Sequence, residues 1–172
     1  MSQFSRSFLV AVARRGRSLM CDQLKSDSEG DGRQDDTTLF SLSAEFLEAA
    51  CVLRACVLRA TPRRRVGYSS AIYYLLGHSA ELMLKAFLYK HGKTIGDLRK
   101  FNHDLEKLAC NAREAGLPET VQLEQIIQLA AAYREKSFEY RTKKEKTFPS
   151  LDLLTEEIKL LESAVLEKLL RE

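Results

Sequence analysis

The sequence predicts an all-α protein, an antiparallel bundle of about five helices, and three observations carry that prediction. Apolar residues recur at helical spacing in one stretch after another. No segment alternates over a useful length with the period of two that a half-buried strand needs. The stretch from Tyr68 to Tyr89 is apolar on almost every side, so it has to be enclosed by other helices or by a partner subunit.

The chain of 172 residues suits one domain with a continuous core. Its 45% apolar and 30% charged residues describe an ordinary globular protein, not a disordered or membrane one. No apolar run approaches the ~20 residues of a membrane span, and a cytoplasmic location is expected. Net charge is +3, from 27 basic and 24 acidic residues, so any case for a nucleic-acid partner rests on local patches. Cys21, Cys51, Cys56 and Cys110 form no CxxC pair, and they read as buried free thiols of a reducing compartment. No metal and no cofactor are called for.

Residues 1–38 read as a flexible leader and acidic linker, and residues 39–172 as the helical domain. The first twenty residues carry Arg6, Arg14, Arg15 and Arg17 without an acid, as transit peptides do. An unstructured leader, or a natural start at Met20, is the reading preferred for them. Ser26 to Thr38 is acidic and lacks any large apolar residue to offset its ordering entropy.

The first helix is expected from Leu42 to Ala60, facing inward with Leu42, Phe46, Ala49, Ala50, Leu53 and Val57. It holds a tandem repeat, Ala50-Cys51-Val52-Leu53-Arg54 then Ala55-Cys56-Val57-Leu58-Arg59, whose period of five matches no helical face. Pro62 and the loop Arg63-Arg64-Arg65 end it. The second helix runs from Tyr68 to Tyr89, with His91-Gly92 as its left-handed cap. One polar stripe crosses it: Tyr74, His78, Glu81 and Lys85 fall within about 60° of one another. A connector from Lys93 to Phe101 leads to a third helix over His103 to Ala115, capped by Asn102 and closed by Gly116. Pro118 opens a fourth, with Leu123, Ile126, Ile127, Ala130 and Tyr133 inward, that continues to Arg141. The last follows Ser150, with a seam of Leu154, Ile158, Leu161, Val165 and Leu169.

Two stretches carry a resemblance: Tyr73-Tyr74-Leu75-Leu76-Gly77-His78-Ser79-Ala80-Glu81-Leu82-Met83-Leu84-Lys85-Ala86-Phe87-Leu88 and Asn102-His103-Asp104-Leu105-Glu106-Lys107-Leu108. In order and spacing they resemble the HEPN superfamily (higher eukaryotes and prokaryotes nucleotide-binding domain), over about Leu39 to Arg171. Tyr133 to Arg141 also looks like the end of the following helix in many members. The resemblance implies a helical bundle, usually a homodimer whose protomers face one another across a cleft. It also implies toxin–antitoxin or defence systems, RNA or nucleotide ligands, and a nucleotidyltransferase partner. Many members are metal-independent ribonucleases that place four to six residues between an Arg and a His. Here Arg99 and His103 have three between them, and Arg134 to Arg141 contains no His.

The expectation is therefore a non-catalytic or atypical HEPN-like module that binds nucleic acid, a nucleotide or a partner protein. A ribonuclease using Arg99 and His103, and a plain helical interaction module, are the alternatives. His103 is either a base or phosphate ligand at a helix N-terminus, or a locally packed first-turn residue beside Asp104. Tyr74, His78, Glu81 and Lys85 either line a ligand cleft or let an i,i+4 pair of Glu81 and Lys85 satisfy a buried helix. Arg63, Arg64 and Arg65 form one basic patch. Arg134, Lys136, Tyr140, Arg141, Lys143 and Lys144, with Lys146 and Phe138, form another. Both suit phosphates and stacked bases, and both also suit a solvated surface.

Overall fold

The computed structural model describes residues 35–59, 62–138 and 147–171, and everything regular among them is helical. Six helices follow in order: α1 Asp36–Leu58, α2 Pro62–Lys90, α3 Ile95–Lys100, α4 Leu105–Glu114, α5 Glu124–Arg134 and α6 Leu151–Leu170. None is long and apolar enough to cross a membrane. The all-α expectation holds, with one short helix more than foreseen.

Helix α2 is the axis of the bundle, and each of the other five packs against it. Leu76, Met83, Leu84, Phe87 and Leu88 have no measurable exposure, and from Ser79 to Leu88 only Lys85 escapes full burial. A helix apolar all round is stable only with such enclosure. Its start differs from the expectation. Pro62 opens the helix, because a missing N–H is harmless in the first turn, so Arg63, Arg64 and Arg65 belong to α2 and not to a loop. Its end is as read from Gly92, whose φ of 88° allows a Schellman closure with Gly92 N bonded to Tyr89 O and Lys93 N to Leu88 O.

Helix α1 begins at Asp36, six residues before Leu42, because the Asp35 side chain accepts the Thr38 amide. The last residues assigned to the acidic linker are thus its cap and first turn. Leu39, Phe40, Ser43, Leu47, Ala50 and Val57 are its buried face, while Leu42 and Ala49 are exposed. Residues 1–34 lie outside the described part, Cys21 among them. Cys51 is half-buried and Cys56 and Cys110 are exposed, all three as free thiols, against the expectation of burial.

The connector after α2 folds as α3. Thr94 and Asp97 form a reciprocal capping box there, and Arg99 consequently sits on a helix. Helix α4 starts at Leu105, capped by Asp104 and not by Asn102, which takes a left-handed φ of 49° in the turn before it. Helix α5 starts at Glu124, not Pro118, because the Arg113 guanidinium bonds the carbonyls of Leu117, Pro118 and Val121 and holds that stretch as a turn. Its Ile127, expected inward, is exposed. It ends at Arg134, where Lys136 at φ 54° takes the left-handed position of another Schellman closure (Ser137 N to Ala132 O). Residues 139–146 lie outside the described part. Helix α6 has the expected seam of Leu154, Ile158, Leu161 and Val165, although the Ser150 hydroxyl makes no capping bond.

Helix α5 has no side-chain cap of its own. Instead Glu157 of α6 reaches across and accepts the amides of Gln125 (3.1 Å) and Ile126 (3.0 Å). A carboxylate there satisfies two orphan donors and meets the positive end of the dipole. Glu157→Ala is therefore expected to destabilise the domain by about 1–3 kcal/mol, read as a lowered urea midpoint.

Candidate functional site

The polar stripe of α2 turns inward, toward the α3–α4 turn and the last turn of α5. Glu81 is at its centre and is 2% exposed. A lone carboxylate cannot stay charged in such a place, so the sequence supplies partners from three elements. Lys85, one turn along α2, donates to Oε1 at 2.5 Å and also to the Asn102 carbonyl at 3.3 Å. Tyr133 of α5 donates its hydroxyl to Oε2 at 2.7 Å, and His103 places Nδ1 3.0 Å from the same oxygen. His78 Nδ1 lies 3.0 Å from the Tyr133 hydroxyl and 3.8 Å from Glu81 Oε2. Burial raises the Glu81 pKa, but the nearby His78, His103 and Lys85 outweigh it and bring it down to about 2.

Aromatic packing orients the imidazoles. Tyr74 stacks on His78 with centroids 5.9 Å apart and Phe46 of α1 meets His78 edge-on at 4.6 Å, while His103 stands at 89° to the Tyr133 ring. Gly77 is what lets Tyr133 approach α2, since a Cβ there would come within 2.7 Å of the tyrosine Cδ2.

The residue after His103 continues the network outward. Asp104 caps α4 through the Lys107 amide (3.2 Å) and receives the Arg134 guanidinium (3.1 Å), with Lys107 Nζ 3.5 Å away. Burial opposes its charge, but the Lys107 amide and Arg134 prevail and hold its carboxyl below the ordinary value. Two buried carboxylates thus anchor a cluster whose outer members, His103 and Arg134, have side chains 48% and 52% exposed.

Of the residues singled out in the sequence, Tyr74, His78, Glu81, Lys85, His103, Asp104 and Arg134 come together here. Arg99 does not: it is exposed on α3, and no hydrogen bond or ion pair joins it to His103. The expected Arg99/His103 pair is replaced by Arg134, 31 positions beyond His103 in the chain and tied to its neighbour Asp104. Lys136 is exposed beyond the end of α5. The side chains of Arg63, Arg64 and Arg65, and all of Tyr140, Arg141, Lys143 and Lys144, fall outside the described residues. The helical pattern places Tyr133 on the inward face and gives its hydroxyl no role at the site. Its signal was available, because a buried phenol needs a hydrogen-bond partner. Among the described residues no group of His, Cys, Asp and Glu is arranged to hold a metal ion. No family model matches the chain, and neither a curated protein nor a solved structure does.

Proposed function

We propose that this protein is a HEPN-like, non-catalytic module that binds the phosphate backbone of RNA over the surface where His103 and Arg134 flank Asp104. The observation that carries the reading is the anchoring of two half-exposed nitrogen bases on two buried carboxylates. Arg134 gives one N–H group to Asp104, and its planar fork suits a phosphate with the rest. Groups already held in place lose little freedom when a ligand arrives, which raises affinity. Lys107 extends the positive surface, and Lys85 offsets the charge of Glu81 beneath it. The family resemblance adds a homodimer, with a nucleotidyltransferase as the partner protein.

A second reading, a ribonuclease, draws on one feature. His103 is held at Nδ1 by a carboxylate, the way a general base is oriented, with Arg134 in place of Arg99 as the cation beside it.

Fluorescence anisotropy with a labelled single-stranded RNA, followed by a gel of the same mixture, tests both. Intact RNA and a binding constant weakened about tenfold or more by Arg134→Ala are expected, with affinity falling as salt rises. Salt-insensitive or absent retention would sink the RNA reading. Cleavage that His103→Ala abolishes would replace it by the nuclease.

A further inference from the structure

We infer that α1 carries a self-docking face, through which two copies of this chain pair antiparallel with Val52 on the two-fold axis. The pairing does not depend on RNA binding, and it assigns to named residues a contact that the family resemblance leaves unplaced.

A helix on the outside of a bundle needs one apolar face, and α1 has two. The inner one holds Leu39, Phe40, Leu47, Ala50 and Val57, all buried. On the other side Leu42, Ala49, Val52 and Cys56 are exposed, Leu42 at 38% and Val52 at 59%. Single exposed apolar residues are ordinary on a protein surface. These four are not scattered. They fall at i, i+7, i+10 and i+14, the a and d spacing by which one helix packs along another. The half-buried Phe46 and Leu53 border the stripe on the side toward the core and widen it.

The charges on the stripe select a second copy as its occupant. A two-fold contact uses the same patch on both partners, so the patch must be its own complement. Two exposed charged residues continue the stripe, Glu45 and Arg59, and neither has an ion pair among the described residues. Arg59 is the C-cap and keeps helical backbone angles (φ −85°, ψ −6°), so it stays in line with the helix. Glu45 lies seven residues before Val52 and Arg59 seven after it, and residues seven apart on a helix share nearly one line.

An antiparallel copy turned about Val52 therefore brings Glu45 level with the partner's Arg59, and Arg59 level with the partner's Glu45. Ala49 and Cys56, three before and four after the axis, fill the layers between with small side chains, and Val52 meets its own counterpart. A parallel pair would instead set Glu45 against Glu45 and Arg59 against Arg59, which like-charge repulsion opposes.

Light scattering of the purified protein over a dilution series tests the pairing, and a dimer is expected. Val52→Glu puts two carboxylates on the axis and should weaken it by about tenfold or more. Glu45→Arg and Arg59→Glu each replace two ion pairs by two repulsions, because symmetry repeats every change, and should weaken it as much. The double reversal Glu45→Arg/Arg59→Glu sets opposite charges level again and should restore the dimer. A mixture of the two single variants should likewise associate, since one then carries only bases and the other only acids at these positions. All three sites are exposed, and circular dichroism checks that each variant is folded. A monomer at every concentration overturns the pairing and leaves the RNA surface beside Asp104 standing. A dimer that Val52→Glu and both charge reversals leave intact forms through another face and overturns it too. So does a double reversal that associates no better than the single ones.

Discussion

Replacing Glu81 by alanine is expected to destabilise the domain by on the order of 3–5 kcal/mol, because it leaves a buried ammonium without a counter-charge. Lys85 is 15% exposed and pairs with Glu81 at 2.5 Å, and among the described residues its one other acceptor is the Asn102 carbonyl at 3.3 Å. Tyr133 and His103 lose an acceptor in the same step. Glu81→Gln keeps an acceptor oxygen but not the charge, and should fall between the wild type and Glu81→Ala. Urea unfolding of the three proteins at neutral pH gives the order. Equal midpoints would mean that Lys85 finds solvent without help.

The same residue governs the response to acid. The folded pKa of Glu81, about 2, is depressed from its ordinary 4.5. A depressed carboxyl contributes stability that is present above the unfolded value and is lost as pH falls through the folded one. The window is therefore from about 4.5 down to about 2. Over it the wild type should lose on the order of 3 kcal/mol that Glu81→Gln does not, since a group that cannot titrate has nothing there to lose. Other carboxylates titrate in both proteins, so the difference between the curves is the quantity to read.

What the sequence conveyed about this site, and what it withheld, follows from the range of each signal. The i,i+4 spacing of Glu81 and Lys85 is local, and an apolar helix with one polar stripe leaves those groups few ways to be satisfied, so their pairing was legible. Glycine caps are local too, and Gly92 and Gly116 ended their helices as read. Lys136 shows the limit. It fills the left-handed position that usually needs glycine, so helical periodicity ran past the true end of α5. Asp104 with Arg134 and Glu157 with the start of α5 join residues about thirty positions apart, and no periodicity encodes such a pairing. The short helix α3 was missed although its Thr94-x-x-Asp97 cap was in plain view, because the apolar pattern around it is too brief to register.

Gly77 connects the packing of the bundle to the chemistry of the site, and its replacement by alanine sets two effects against each other. Alanine in place of glycine inside a helix is worth about 1 kcal/mol in propensity. The added methyl would lie 2.7 Å from Tyr133 Cδ2, 2.9 Å from Cε2 and 3.3 Å from Leu129 Cδ2. Those are carbons of a buried ring held at its hydroxyl by Glu81 and His78, not the free end of a flexible chain. Overpacking of that kind costs about 1–3 kcal/mol, so Gly77→Ala should be destabilising despite the better helix former, and Gly77→Val more so. The cost should depend on the partner. With Tyr133→Ala already in place the ring is gone, and the methyl at position 77 fills vacated space instead of colliding with it. A double-mutant cycle on urea midpoints should then give a coupling of about 1–3 kcal/mol, with Gly77→Ala neutral or stabilising in the Tyr133→Ala background. Additive effects would mean that α5 moves away as a unit and that the ring is not held where Glu81 and His78 hold it. The prediction thus measures how firmly the hydroxyl that orients His78 is kept in position.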